Sequence, residues 1–413
     1  MKKGLWNKDF TLITTSSILS AIGGEAIMVP VSLLVFDQTS STFLSAVILV
    51  LGMLPDTLIS IFSSPIIERS NKRTVMAAME ALTAGTYIVM AYLTRSGFSY
   101  SLYVVFTLVI ATLSVFYRLA YEALFIDTVA PGLENKAYSI SSLVYPVVTV
   151  TITPISTILY TAVPMSTIFI ISSFLSLMPS LMILFISATG SDEEEKTRIT
   201  LKGYIDDLKD GLLFFRQEKG IRNIETYIAI TSGASGSITL LVQAFMQSNP
   251  ALGVLYFGLV KSLEMAGRLA GGIFQYVKKI PARWRFAITV AVYLVYDISD
   301  SILVFLPIAV ILFLRFISGT LGQVSATIRM TTTMNYLPRK YRVRTNAIFS
   351  FLCSLSYIVF QLLAGVLGEV MEYGKATLII GSVSVTSMLF LIVAGKKHTK
   401  PVYCAERAES ESA

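Results

Sequence analysis

Two carboxylic acids stand inside long apolar runs in the first part of the chain. Glu25 follows Gly23 and Gly24, and Asp56 follows Pro55. A carboxylate in such surroundings loses hydration, so it holds a proton, pairs with a cation or faces a water-filled cavity. Glu25 and Asp56 are therefore candidates for carrying a proton or binding a cationic ligand. A neutral or salt-bridged structural acid is the alternative for each of them.

A second group of charged residues lies in an apolar run of the second half. Lys261, Glu264 and Arg268 are separated by three and four residues, which places them on one face of a helix. Facing lipid, they would together cost roughly 8–10 kcal/mol on the membrane-insertion scale. We therefore predict that they face a cavity or other helices. Ligand or ion binding and a self-neutralising stripe that packs on a neighbour remain equally open.

Arg315 lies in another apolar run and has no oppositely charged neighbour in the local sequence. Because an unpaired charge is costly inside a membrane, we expect it to face a cavity. Asp297 and Asp300 are candidate partners, although they could equally mark the end of their helix. Arg118 and Glu122 have the i,i+4 spacing of a helical ion pair, which predicts a structural role for them.

The reactive side chains exclude several classes of chemistry. The chain has one histidine, His398, and two cysteines, Cys353 and Cys404, which lie far apart in the sequence. These residues provide no metal-ligand spacing, no disulfide framework and no Ser-His-Asp set. We therefore expect no metal, no cofactor and no enzymatic activity.

Composition places the chain in a membrane. Of its 413 residues, 54% are hydrophobic and 14% are charged, whereas soluble domains carry about 25% charged residues. A spanning helix needs about 20 mostly apolar residues. The uncharged run from Ala137 to Ser191 is too long for one span, so it must fold back, and Pro164 is its predicted turn. The sequence therefore predicts an all-α polytopic membrane protein with twelve transmembrane helices. The predicted spans are 10–36, 43–67, 74–93, 101–122, 138–160, 165–188, 221–248, 251–275, 286–304, 306–330, 345–371 and 376–395.

A charged stretch between the sixth and seventh spans divides the chain into two six-helix halves. This stretch, Ser191–Gln217, begins with four consecutive acids and continues with lysine and arginine. The predicted organisation is an N-terminal half at 1–188, a cytoplasmic connector at 189–220, a C-terminal half at 221–395 and a cytoplasmic tail at 396–413. Two halves of equal span number are typical of transporter folds built from repeats.

Lysine and arginine are distributed unequally between the two sets of loops. The set that includes the N-terminus, the connector and the tail holds most of them, and the opposite set holds only Arg95 and Lys375. Because positive residues mark the cytoplasmic side, both termini are predicted to lie in the cytoplasm of a protein in the cell membrane. The asymmetry also explains the net charge of +7 without a nucleic-acid partner.

The loop between the second and third spans carries a recognisable motif. It resembles the major facilitator loop motif Gly-x-x-x-Asp-Arg-x-x-Arg/Lys-Arg/Lys, with Arg69, Lys72 and Arg73 in the basic positions. Ser64 stands where the family has glycine, and Glu68 stands where it has aspartate. The resemblance implies the major facilitator fold. It also implies a gating role for these residues, in which Arg69 and Arg73 pair with acids at cytoplasmic helix ends.

Other segments resemble the macrolide-efflux-like branch of that superfamily. They are Leu208–Leu212 before the seventh span, Leu337–Arg342 before the eleventh, Gly365–Gly368 within the eleventh, and the Gly24-Glu25 pair. The resemblance implies a secondary active transporter that works by alternating access. It would act as a monomeric efflux permease for a small amphipathic or drug-like molecule, driven by protons.

Two other functions stay open at this stage. One is an uptake permease for a small metabolite. The other is a non-transporting membrane scaffold or sensor with a transporter-like fold, although the charged residues within several spans argue against it. In the transport hypothesis, the substrate-coupling or ion-coupling residues are Glu25, Asp56, Lys261, Glu264, Arg268 and Arg315.

Overall fold

The computed structural model describes residues 4–68, 70–188, 210–278 and 280–406. Twelve long helices account for most of this part of the chain, and it contains no strand. They are α1 (Lys8–Thr39), α2 (Thr42–Glu68), α3 (Lys72–Leu93), α4 (Tyr100–Thr128), α5 (Glu134–Ala162), α6 (Met165–Leu184), α7 (Lys219–Ser248), α8 (Gly253–Val277), α9 (Ala282–Ile302), α10 (Ile308–Tyr336), α11 (Arg339–Val370) and α12 (Tyr373–Ser387). A π-helix, Met388–Val393, follows α12, and a short helix α13 spans Lys396–Tyr403.

Eleven of the described helices are long and apolar enough to cross a membrane. The twelfth long helix is α8, which has 25 residues and carries Lys261, Glu264 and Arg268. The all-helical fold class predicted from the sequence is confirmed. Helices α4 and α10 extend beyond the predicted spans, to Thr128 and Tyr336, because the boundaries of a hydropathy pattern do not mark where backbone hydrogen bonding ends.

Proline and asparagine begin many of these helices. The side-chain oxygens of Asn7 and Asn71 accept hydrogen bonds from backbone amides in the first turns of α1 and α3, which satisfies donors that a helix leaves unpaired. Helices α6, α9, α10 and α11 each begin directly after a proline, at Pro164, Pro281, Pro307 and Pro338 respectively. Pro164 therefore forms the predicted turn in the long uncharged stretch between α5 and α6.

The chain folds into two compact units. The first unit contains the described residues up to 188 and also Asn249–Ser262. In it, α3 packs against α6, where Ser173 and Ser180 donate hydrogen bonds to the carbonyls of Ala84 and Ala77 at 2.9 and 2.8 Å. Small polar residues of this kind let membrane helices approach closely while their hydroxyl groups stay bonded.

The second unit contains residues 210–248 and the chain from Leu263 to 406. Its apolar core includes Tyr227 and Tyr293, and Tyr403 of α13 joins that core, where the Tyr293 and Tyr403 hydroxyl groups lie 2.9 Å apart. The beginning of the segment predicted as a tail is therefore a packed helix. Its aromatic anchor lies beyond the last predicted span, so a hydropathy pattern does not reveal it.

Glycines bring α8 and α10 into backbone contact within the second unit. A Cβ atom added to Gly267 would lie 2.1 Å from the carbonyl oxygen of Phe316, and one added to Gly319 would lie 2.0 Å from the carbonyl oxygen of Glu264. Gly267 and Gly271, which are four residues apart on α8, thus allow close packing of the two helices.

This contact gives a stability prediction. We expect Gly319→Ala to destabilise the protein by about 3 kcal/mol, the upper end for overpacking, because backbone rather than a movable side chain occupies the space. Thermal unfolding of purified protein in detergent would measure the change. Gly272→Ala is the matched control, since its Cβ atom would meet only Gln323 at 4.0 Å. Equal stability of the two variants would contradict the packing account.

Candidate functional site

A cavity of about 540 Å³ lies among α1, α2, α3 and α4 of the first unit. Its wall combines apolar and aromatic residues with a small set of polar and charged groups. The polar and charged lining residues include Ser20, Asp56, Glu80, Thr107, Tyr117 and Arg118. Sites for small organic ligands have this size and this mixture, because apolar walls bind the body of the ligand and a few polar groups orient it.

Asp56 is paired with a cation at this cavity. Arg118 donates to the Asp56 carboxylate from one guanidinium nitrogen, and its other terminal nitrogen lies 3.1 Å from Glu122 Oε1. The predicted Arg118–Glu122 ion pair is therefore confirmed. All three side chains are exposed by 44–60%, so the cluster borders open space.

Glu80 is the buried acid of the cavity, and it is absent from the sequence-based candidates. Its side chain on α3 is 4% exposed and accepts a hydrogen bond from Ser20 of α1. Among the described residues it has no ion-pair partner. The buried oxygens Tyr117 Oη and Thr107 Oγ1 also line the cavity, and within the described part of the chain neither has a hydrogen-bond partner at normal geometry. These groups leave hydrogen-bonding capacity for a ligand.

Glu25 is bound by a neutral side chain of α5. Its Oε1 atom accepts a hydrogen bond of 2.7 Å from the hydroxyl group of Thr153 on α5, and Thr153 is fully buried. The preceding residue, Gly24, lines the cavity together with Asp56. Glu25 is therefore held against α5 beside the cavity, and the structure does not place it with Asp56 in one hydrogen-bonded pair.

Part of the loop motif lies outside the described residues, namely Arg69 and the side chain of Glu68. Lys72 begins α3 and is 5% exposed. Arg73 donates a hydrogen bond of 2.8 Å to the backbone carbonyl of Ile186, just after α6, so this contact is made with a carbonyl rather than with an acid. Asp9 of α1 binds the same stretch through the amides of Ser187 and Ala188.

The second unit contains a buried charge cluster. Arg315 Nη1 lies 3.0 Å from Asp300 and 3.5 Å from Glu264, and Arg268 lies 3.0 Å from Glu264. Asp300 is thus confirmed as a partner of Arg315. Lys261, the first residue of the predicted stripe on α8, belongs to the first unit, where its ammonium lies 5.6 Å from the Phe257 ring centre.

Another buried pair escaped the sequence-based prediction. Arg329 of α10 lies 2.9 Å from Glu225 of α7, whose side chain is 3% exposed. The same guanidinium lies 4.4 Å from the ring centre of Phe349. The two charges are 104 residues apart in sequence, so only the tertiary fold shows that they neutralise each other.

Comparison with known proteins identifies the fold of the chain. No protein-family model matches the chain, and no curated protein matches it. Solved structures do match the chain. A bacterial homologue of the human lysosomal transporter Spinster is 12% identical, covers 95% of this chain and 96% of its own, and has a TM-score of 0.63.

Two other solved structures are similar at comparable length. The nucleoside transporter NupG is 11% identical over 94% of this chain and 99% of its own, with a TM-score of 0.67. A mutant of the peptide transporter POT is 10% identical over 98% and 97%, with a TM-score of 0.70. Identities this low establish the architecture alone, and the chain therefore has the major facilitator fold.

Proposed function

We propose that this chain is a secondary active transporter that exports a small amphipathic or drug-like molecule by alternating access, with protons as the driving ion. The main support for this proposal is the cavity of about 540 Å³ in the first unit, which contains the buried acid Glu80, and this acid has no cationic partner among the described residues. Transporters of this fold bind substrate and coupling ion within the membrane. The similar solved structures, which include nucleoside and peptide transporters, support transport as the general activity.

The wall of the cavity favours an amphipathic substrate. Met28, Met79 and Tyr87 supply apolar and aromatic surface, while Glu80 and Tyr117 supply polar groups. Methionine side chains adapt their shape to different ligands. A molecule with an apolar body and one polar or charged group fits this combination better than a fully polar metabolite, which favours an amphipathic compound as the substrate.

Glu80 is the proposed coupling acid. A buried carboxylate without a cation is costly in the membrane, so binding a proton neutralises it. Asp56 already has Arg118, and Glu25 is held by Thr153. We propose that these two acids help substrate binding or proton transfer at the same cavity. Arg268 and Arg315 would neutralise Glu264 and Asp300 in the second unit, and Lys261 stays a candidate substrate contact.

The loop motif has a separate proposed role. Glu68, Arg69, Lys72 and Arg73 would bias the exchange between inward-open and outward-open states through contacts at the cytoplasmic helix ends. The bond from Arg73 to the carbonyl of Ile186 supports this role, because it ties α3 to the chain that leaves α6.

Transport by inverted membrane vesicles tests the proposed function. With an imposed pH gradient, inside acidic, vesicles containing the protein should accumulate at least one member of a panel of fluorescent amphipathic dyes. An uncoupler should abolish the accumulation. Movement only in the opposite direction would favour the uptake permease, and no transport of dyes or metabolites would favour the scaffold or sensor.

The orientation is tested by labelling. Tags at Met1, near Ser191 and after Lys400 should be accessible only from the cytoplasm, because lysine and arginine are concentrated on that side. Impermeant labelling of intact cells and of inverted vesicles would measure accessibility. A tag near Arg95 is the matched control, since it should react only from outside. Labelling of Met1 in intact cells would contradict the proposed location in the cell membrane with cytoplasmic termini.

A further inference from the structure

Asp297 is a buried acid in the second unit whose carboxylate oxygens meet only neutral donors. It lies on α9 and is 2% exposed. The Tyr227 hydroxyl donates to Oδ2 at 3.0 Å, and the Thr231 hydroxyl donates to Oδ1 at 2.7 Å. Among the described residues, no lysine or arginine forms an ion pair with Asp297. Its surroundings therefore differ from those of Asp300, which has Arg315 as a partner.

The charges around Asp297 do not balance if every group is ionised. Among the described residues of the second unit, the ion pairs of α7 to α10 around Asp297 contain three acids and three arginines, and Asp297 belongs to none of them. The paired residues are Glu225, Glu264, Asp300, Arg268, Arg315 and Arg329. Each arginine pairs with a different acid at 2.9 to 3.0 Å. Asp297 is the acid left over. An uncompensated carboxylate inside a membrane protein is costly, so one positive charge must join this cluster.

Among the residues that the structure describes, no neighbouring element supplies that charge. The titratable and charged groups around Asp297 are Tyr227 and Glu225 of α7, Glu264 and Arg268 of α8, Tyr293, Tyr296 and Asp300 of α9, Arg315 and Arg329 of α10, and Tyr403 of α13. Helix α12 approaches α9 where Gly381 meets Ser301, and within the described residues it brings no charged group there. The arginines in this set are already paired.

A cavity borders the donors of Asp297, although Asp297 itself does not line it. Both donor residues, Tyr227 and Thr231, line a cavity of about 200 Å³ in the second unit. A proton arriving from water in this cavity can add to Oδ1 of Asp297. The Thr231 hydroxyl then becomes the acceptor and donates its own hydrogen to the carbonyl one turn earlier in α7, as threonines in helices commonly do.

We propose that Asp297, Tyr227 and Thr231 form a proton-binding site in the second unit, distinct from Glu80 in the first. The proton comes from cavity water and returns to it, and no covalent bond other than the O–H bond forms or breaks. The protonated acid removes the excess negative charge of the cluster. Because the site follows from charge balance within one unit, it would exist whether or not the chain exports amphipathic molecules.

Infrared spectroscopy of the purified full-length protein tests the site directly. A protonated carboxyl group has a carbonyl stretching band separate from the bands of carboxylates. The wild-type spectrum at neutral pH should contain a protonated-carboxyl band whose area falls by one group in Asp297→Asn. Asp56→Asn is the matched control and should leave the band unchanged, because Asp56 is paired with Arg118. Thr231→Val should shift the band without removing it, since one hydrogen bond to the carboxyl group is lost.

The outcomes are distinct. An unchanged protonated-carboxyl band in Asp297→Asn would overturn the proposal, as would loss of an equal area in Asp56→Asn. If Asp297→Asn does not fold, the position of the band in Thr231→Val tests the proposal instead. An unshifted band in that variant would overturn the proposal. Loss of a separate band in Glu80→Gln reports on the first unit, so failure of the transport proposal and failure of this site are distinguishable.

Discussion

In Glu80→Gln, accumulation of dye against its gradient should fall to the level of vesicles without the protein. Glutamine keeps the size of the side chain and its hydrogen bond to Ser20, but it cannot exchange a proton. A carrier whose site no longer changes charge loses the difference in affinity by which the proton gradient biases its two states. Passive dye equilibration should persist, because the cavity keeps its shape. Vesicle uptake with and without the pH gradient would measure both quantities.

Glu25→Gln is the comparison for this experiment. Glu25 is held by Thr153 on α5, so its amide variant should reduce gradient-driven accumulation less than Glu80→Gln does. Glu80→Asp should restore part of the coupling, since it again provides an ionisable acid. Full uphill transport by Glu80→Gln together with its loss in Glu25→Gln would transfer the coupling role to Glu25.

The largest stability effect is expected in the second unit. Arg315→Ala should destabilise the protein by about 3–5 kcal/mol, because Asp300 would remain as a buried charge without its partner. The Arg315 and Asp300 side chains are 2% and 4% exposed. Thermal unfolding in detergent, followed by circular dichroism and by size-exclusion chromatography, would measure the loss.

Two variants make this prediction specific. Arg118→Ala removes an ion pair whose members are about half exposed, and it should cost about 0–1 kcal/mol. The double variant Arg315→Met with Asp300→Asn removes both charges and should recover much of the stability. Equal destabilisation by Arg118→Ala and Arg315→Ala would show that burial of the Arg315–Asp300 pair does not increase its contribution to stability.

Much of the fold follows from the sequence. In a bilayer every backbone polar group needs an internal partner, so long apolar runs must be helices. Runs of suitable length and the proline at Pro164 were therefore sufficient to predict the helices and their turn. Helix α8 shows the limit of hydropathy, because its three internal charges lower its apolar character although it remains a regular helix of 25 residues.

The site was less predictable because its contacts join distant parts of the chain. Glu80 is the only charged residue between Arg73 and Arg95, which is a signal that sequence reasoning could have used. Its hydrogen-bond partner Ser20 lies 60 residues away, and the spacing of residues within one helix gives no information about such a contact. For Asp56 the sequence left two alternatives open, a functional acid and a neutral or salt-bridged structural acid, and in the fold Asp56 is paired with Arg118.

The central claim is that substrate and proton use the same cavity of the first unit. Proton release by purified protein in weakly buffered detergent solution, measured while a transported dye is added, tests this most directly. The wild-type protein should release protons as the dye binds, and Glu80→Gln should bind the dye without releasing them. Dye binding without proton release by the wild-type protein at any pH, or undiminished release by Glu80→Gln, would contradict the claim.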